Sequence, residues 1–172
     1  RFVRCNPRQT LSKCRIEDIL DRNLHVIEAE CRRLGVSVQR FYETGDYVME
    51  ADPNLLYRAF INIFANSLQA MPEGGNLDLR TTIAKGRNGT SLVELQVQDS
   101  GIGIRKEDLP RIFEKGYTGY NGRMDNRASG IGLYLSKRAA DALGITIDVA
   151  SELGKGTRVT LRFPKYDEFE HL

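Results

Sequence analysis

The chain has 172 residues, 41% of them hydrophobic and 28% charged, the balance of one globular domain of ordinary composition with a sizeable core. Its net charge of +2 gives no overall reason to expect nucleic acid or an anionic membrane as a partner, so a phosphate-bearing ligand has to be argued from local motifs. Cys5, Cys14 and Cys31 are odd in number and spaced unlike zinc ligands, so they read as reduced structural thiols in a cytosolic setting, where the sequon Asn88-Gly89-Thr90 carries little weight. No run reaches the roughly 18 apolar residues of a membrane helix, and the first residues lack the charged-then-apolar layout of a signal peptide.

The opening stretch carries Arg1, Arg4, Arg8, Lys13 and Arg15 before its first acid, Glu17. It reads as a solvated linker over 1–14 from a preceding domain rather than an arm for nucleic acid. From Ile16 the apolar residues fall at Leu20, Leu24, Ile27, Cys31 and Leu34, the 3,4 spacing of a half-buried helix, with Gly35 where a C-cap glycine belongs. VSVQRFY (36–42) and the short run around Tyr47–Met49 predict two strands with a turn at Thr44-Gly45. Asp52-Pro53 supplies an N-cap and a first-turn proline, and the stripe Leu56, Phe60, Ile63, Phe64, Ser67, Leu68, Met71 predicts a second helix ending at Pro72. NLDLRTTIA (76–84) and SLVELQVQD (91–99), around the loop KGRNGT, alternate as strands of a sheet covered on one face.

Residues 104–129, with Gly116, Gly119, Asn121, Gly122 and Asn126 in their middle, lack the pattern of a core element and read as a lid. A third helix is predicted from Gly130 to Leu143, closed by Gly144, and ITIDVAS (145–151) and RVTLRFP (158–164) complete the sheet. The tail, 166–172, reads as a frayed end.

Asn62 and Asn66 stand one helical turn apart, about 40° apart around the axis, at the border of the apolar face. Such amides serve either as hydrogen-bonded helix residues or as oxygen ligands for a Mg²⁺ that draws its remaining ligands from water and phosphates. Downstream come three Gly-x-Gly turns, DSGIGI (99–104), SGIGL (129–133) and LGKGT (153–157). None extends to GxGxxG, since Lys106, Leu135 and Val159 occupy the decisive positions, and no GxxxxGK[ST] occurs. One such turn is a weak signal. Three, after a strand, at a helix start and between the last two strands, mark places where bare backbone can approach a phosphorylated ligand. Asp99 closes a strand and is placed either to stabilise its own turn or to accept a hydrogen bond from an exocyclic amine.

In order, Asn62/Asn66, DSGIGI, the Phe113-containing IFEKGYTG, SGIGLYLSK and GKGT resemble the N, G1, F, G2 and final glycine boxes of the ATP-binding catalytic domain of sensor histidine kinases, within the GHKL superfamily. The resemblance implies a catalytic domain over 15–165 with the Bergerat fold: a two-layer α/β sandwich whose mixed, mostly antiparallel sheet packs against about three helices, with a long ATP lid. It implies ATP and Mg²⁺ as cofactors, with Asn66 on the metal and Asn62 assisting, and Asp99 on the adenine amino group. Gly101 and Gly103 would let the lid turn, Gly130 and Gly132 would bring backbone to the phosphates, and Leu133 and Thr157 would also contact the nucleotide.

Where many such kinases carry a lysine three residues after the metal asparagine, this chain has Gln69, in a string closer to nitrogen-regulation-type kinases. Phosphate charge then needs a lid cation: Lys115, taken with Asn62 and Asn66 as catalytic, or Arg123 or Arg127. The lid string EKGYTGYNGR looks more like kinases that sense envelope stress or peptide antibiotics, which leaves the subfamily open. GHKL relatives that hydrolyse ATP carry a glutamate base at the position of Asn62, and an amide takes no proton from water. Transfer to a protein acceptor is therefore favoured over hydrolysis.

Neither histidine fits the family's acceptor box, because Val26 follows His25 and His171 lies in the tail. The resemblance therefore implies the catalytic part of a longer, homodimeric, cytoplasmic or membrane-attached kinase. Its partners would be the dimerisation and histidine-phosphotransfer domain of the same kinase and the receiver domain of a response regulator, with no nucleic acid; the isolated domain would be monomeric. A GHKL protein-serine kinase of the anti-sigma type and a nucleotide-binding switch without phosphotransfer are the alternatives.

Overall fold

The computed structural model describes residues 10–85, 91–117 and 132–163. Cys5, the sequon, Arg123, Arg127, Ser129, Gly130 and the tail with His171 lie outside the described residues.

Chain order is β1 (Ser12–Cys14), α1 (Ile16–Leu34), β2 (Val36–Tyr42), β3 (Met49–Ala51), α2 (Pro53–Gln69), β4 (Gly75–Lys85), β5 (Ser91–Asp99), a 3-10 turn (Leu109–Arg111), α3 (Tyr134–Leu143), β6 (Thr146–Glu152) and β7 (Gly156–Phe163). A five-stranded sheet runs β2-β4-β5-β7-β6, with β2 parallel to β4 and every other neighbour antiparallel. The three α-helices of the described residues cover one face, giving the mixed, mostly antiparallel α/β sandwich that the motif order implied.

Period-two alternation decides which face is covered. Leu77, Leu79, Val93, Leu95, Val97, Val159, Leu161 and Phe163 are buried toward the helices, where Phe60 and Phe64 of α2 are fully buried. Phe60 meets Phe163 edge-on, with centroids 6.4 Å apart and planes at 72°. The alternate residues form a polar face on which Arg162 bridges Glu94 and Asp148 at 2.9 Å each.

Both long helices begin and end for local reasons. Asp52 Oδ1 accepts from the N–H groups of Asn54 and Leu55, both at 3.1 Å, ahead of Pro53, and α1 ends at Gly35 as its sequence predicts. The acids Glu17 and Asp18 open α1 and Arg32 and Arg33 close it, each sign matching the helix dipole.

Two expectations are corrected and one is refined. The run near Tyr47 does turn after β2, with Tyr47 N–H donating to Thr44 O at 3.1 Å, but the two strands do not pair with each other. β3 starts at Met49 and pairs with β1, a strand lying in the stretch that reads as linker, while β2 joins β4. The third helix starts at Tyr134, because Gly132 and Leu133 are not helical. Finally, the segment read as a lid holds the 3-10 turn and the buried Ile112 and Tyr117, both part of the core.

Candidate nucleotide site

Helix α2 presents Asn62, Asn66, Ser67 and Ala70 along one stripe toward the start of α3 and the ends of β5 and β7. The side-chain nitrogen of Asn66 donates to Asn62 O and to Gly132 O, each at 3.0 Å. Both donors are thereby used, and the amide oxygen of Asn66 carries no hydrogen bond among the described residues.

Asn62 is used differently. Its Oδ1 accepts from Ser136 N at 3.2 Å and from Ser136 Oγ at 2.9 Å, while Ser136 also stands 2.8 Å from Ala59 O. The residue before α3, Leu133, offers no side-chain cap, so a first-turn N–H of α3 is satisfied from the neighbouring helix. Asn62 therefore docks α3 onto α2.

Asp99 closes β5 inside the sheet edge. It is 3% exposed, and its Oδ1 accepts from Gly101 N at 2.9 Å and Thr157 N at 3.2 Å. Burial pushes its carboxyl above the ordinary carboxylate range, opposed by the Gly101 N–H, the Ser67 hydroxyl and the Thr157 N–H. The turn that follows is held by close main-chain contacts. A Cβ at Gly101 would lie 2.5 Å from Ala70 O, and one at Gly103, where φ is +81°, would lie 2.2 Å from Glu152 O. Those two glycines are required by protein against protein, a reason separate from ligand approach.

Asn66, Asp99, Gly103, Leu133 and Thr157 are brought together around one small cleft of about 30 Å³, with Ser67 and Ile104 in its wall. Beside it runs an open groove of about 660 Å³ that shares Ala70, Gly103 and Ile104 with the cleft. The first is the room of roughly one water and the second falls in the usual range of ligand sites.

Gly132 reaches the site through its carbonyl, and Gly101 through its N–H on Asp99, without lining the cleft. Lys115 is exposed in the turn after Leu109–Arg111 and does not line it. Ser67 and Ser136 belong to the site's hydrogen bonding but draw no attention in the sequence. Their one signal is a hydroxyl at a position where helical periodicity demands a buried side chain.

Magnesium can be tested against this donor set. Among the described residues no group of three acidic, histidine or cysteine side chains could hold a metal alone. The free oxygen of Asn66 suits a metal that brings phosphate and water ligands, whereas the oxygen of Asn62 is already engaged.

Residues 51–167 match the family described as histidine kinase-, DNA gyrase B- and HSP90-like ATPase. Sensor protein BceS of Halalkalibacterium halodurans is 32% identical over 161 residues, 92% of this chain and 45% of that protein. Sensor protein kinase GraS of Staphylococcus aureus (strain JH1) is 36% identical over 134 residues, 78% of this chain and 37% of that protein. The chain thus spans less than half the length of these curated relatives. The catalytic domain of histidine kinase ThkA has the same fold, with a TM-score of 0.75, 19% identity and coverage of 91% of this chain and 96% of that one. The chain belongs to the histidine kinase-, DNA gyrase B- and HSP90-like ATPase family. Among the described residues no helix is long and apolar enough to cross a membrane.

Proposed function

We propose that this chain is the catalytic ATP-binding domain of a sensor histidine kinase, binding Mg-ATP and passing the γ-phosphoryl group to a histidine on a dimerisation domain outside this sequence. One observation carries the reading: Asn66, whose amide oxygen carries no hydrogen bond among the described residues, and the buried Asp99 line the same cleft. Asp99 accepts the exocyclic amine of adenine, and Asn66 takes the metal end of the triphosphate, with Gly132 beside the phosphates. Magnesium, when bound, neutralises phosphate charge.

Asn62 acts by fixing the N-terminus of α3, and through it Leu133 in the cleft wall. It supplies no base for water: an amide oxygen, here engaged by the Ser136 N–H, takes no proton, which supports transfer over hydrolysis. His25, exposed on α1 beside Glu28, has no part in the cleft. Lys115 is the described cation closest in sequence to the segment expected to close over the phosphates, and we assign it there.

The partners follow from the same reading: the phosphoacceptor domain of a homodimeric kinase on the cytoplasmic side, and a response-regulator receiver. In support, the chain matches sensor proteins, and one solved relative of the same fold, ThkA, is described in complex with the response regulator protein TrrA. Calorimetric titration with ATP, with and without magnesium, tests the site. Binding should need the metal, Asn66→Ala should abolish the metal dependence, and label from [γ-³²P]ATP should reach the histidine of a separately supplied dimerisation domain. Unaltered ATP binding in both Asn66→Ala and Asp99→Asn would refute the assignment.

A further inference from the structure

One rung of the sheet is polar across three strands. Ser151 of β6 stands opposite Thr157 of β7, which stands opposite Asp99 of β5. All three side chains share the face that looks toward α2. Ser151 lies outside every motif in the sequence, yet its hydroxyl oxygen is a junction. Ile104 N donates to it at 2.8 Å, Gly156 O lies 2.9 Å away, and Thr157 Oγ1 lies 2.7 Å away.

A serine hydroxyl holds one proton and two lone pairs. Gly156 O is a carbonyl and can only accept, so the proton of Ser151 is directed there. Ile104 N–H can only donate, and it occupies one lone pair. The contact with Thr157 is then satisfied in one way: Thr157 donates its proton to the remaining lone pair of Ser151. Its own oxygen is left with lone pairs alone for the cleft that Thr157 lines. Asp99, on the next strand, is an acceptor of the same kind when ionised.

We propose that Ser151 is a positioning residue for base choice: by fixing the Thr157 hydroxyl as an acceptor next to Asp99, it makes the cleft select purines with an exocyclic 6-amine over their 6-oxo counterparts. A 6-amino group donates to both acceptors. A 6-oxo group at the same place meets two acceptors with a third, its neighbouring N1–H reaching them only if the base shifts, and a buried unpaired polar group discriminates against such a ligand. The same hydroxyl holds the main chain of Ile104, which with Gly103 forms part of the cleft wall. This inference rests on reading the cleft as a nucleotide site.

The test compares the affinities of ATP and ITP, both with magnesium, for the whole chain and for Ser151→Ala and Ser151→Thr. Without the Ser151 hydroxyl, Thr157 is free to rotate and donate, so the preference for ATP over ITP should fall by about 3- to 10-fold in Ser151→Ala. Ser151→Thr, which keeps the hydroxyl, should retain it. In a Thr157→Val background, Ser151→Ala should leave the ratio unchanged. If Ser151→Ala does not fold, as judged by circular dichroism, Ser151→Val against Ser151→Thr gives the same contrast in nearly equal volumes. Equal weakening of both nucleotides, or loss of the preference in Ser151→Thr as well, would overturn the proposal and leave the nucleotide site standing. Failure of the unaltered chain to bind ATP would instead remove the site itself, and the proposal with it.

Discussion

The amide nitrogen of Asn66 donates to the carbonyl oxygen of Gly132 at 3.0 Å across 66 positions of sequence, and with its bond to Asn62 O this leaves the oxygen of Asn66 without a hydrogen bond among the described residues. Replacement by aspartate would set a carboxylate against two carbonyl oxygens, those of Gly132 and Asn62. Asn66→Asp should therefore be less stable than Asn66→Ala by about 1–3 kcal/mol, although aspartate is the better magnesium ligand in isolation. Urea unfolding of both variants without nucleotide measures the difference, and equal stability would show that the amide is not held as described.

Ser136 is fully buried and joins α2 to α3 through Asn62 and Ala59. Ser136→Ala and Asn62→Ala should each cost about 1–2 kcal/mol. Because they remove one shared connection, the double variant should fall short of their sum by about 1 kcal/mol, a coupling that a double-mutant cycle in urea would read. Strict additivity would separate the two residues.

Asp99 exchanges stability for recognition. Its folded-state pKa is raised, so its contribution is full when protonated, below the unfolded carboxylate range, and is lost as pH rises through the folded value. At neutral pH the ionised group opposes folding. Asp99→Asn keeps an oxygen for Gly101 N and Thr157 N. Its Tm should equal or exceed that of the unaltered chain at pH 7, with the gap closing in acid, while ATP affinity falls about 10- to 100-fold. A lower Tm at pH 7 would contradict the burial argument.

Glu17 gives the opposite sign. Burial raises its pKa, but bonds from the Thr44 and Thr81 hydroxyls and the Thr44 N–H, with Arg15 nearby, outweigh that and hold it below the ordinary glutamate value of 4.5. Its stabilisation is present above the unfolded pKa and is lost as pH falls through the lowered folded value. Thermal unfolding across that acid range should show a steeper loss for the unaltered chain than for Glu17→Gln. Parallel curves would place the acid sensitivity elsewhere.

What the sequence discloses is local. Asp52-Pro53 and Gly35 are terminal signals that act within a few residues, and the alternation in β4, β5 and β7 follows from burial on one face, so these elements could be read directly. Pairing could not, because β3 joins β1 across an intervening helix and nothing in either three-residue strand names the other. The start of α3 is not legible for a related reason: its cap comes from Asn62, 74 positions before Ser136. Asn66 and Asp99 stood out because polar groups bordered apolar runs. Ser151 does not, since a lone serine at the end of an alternating strand carries no sign of its role until its three partners are located.

Ile102 ties three distant stretches into one piece: its N–H donates to Ala70 O at the end of α2, and its carbonyl accepts from Gly154 N in the β6–β7 turn. A slide of α2 along its axis would therefore drag the Gly101–Gly103 turn, which on the proposed function lies by the base, and the hairpin behind it. Occupancy at the phosphate end should be felt at the purine end as a loss of motion, so that tight grip on one half of a nucleotide improves the fit of the other.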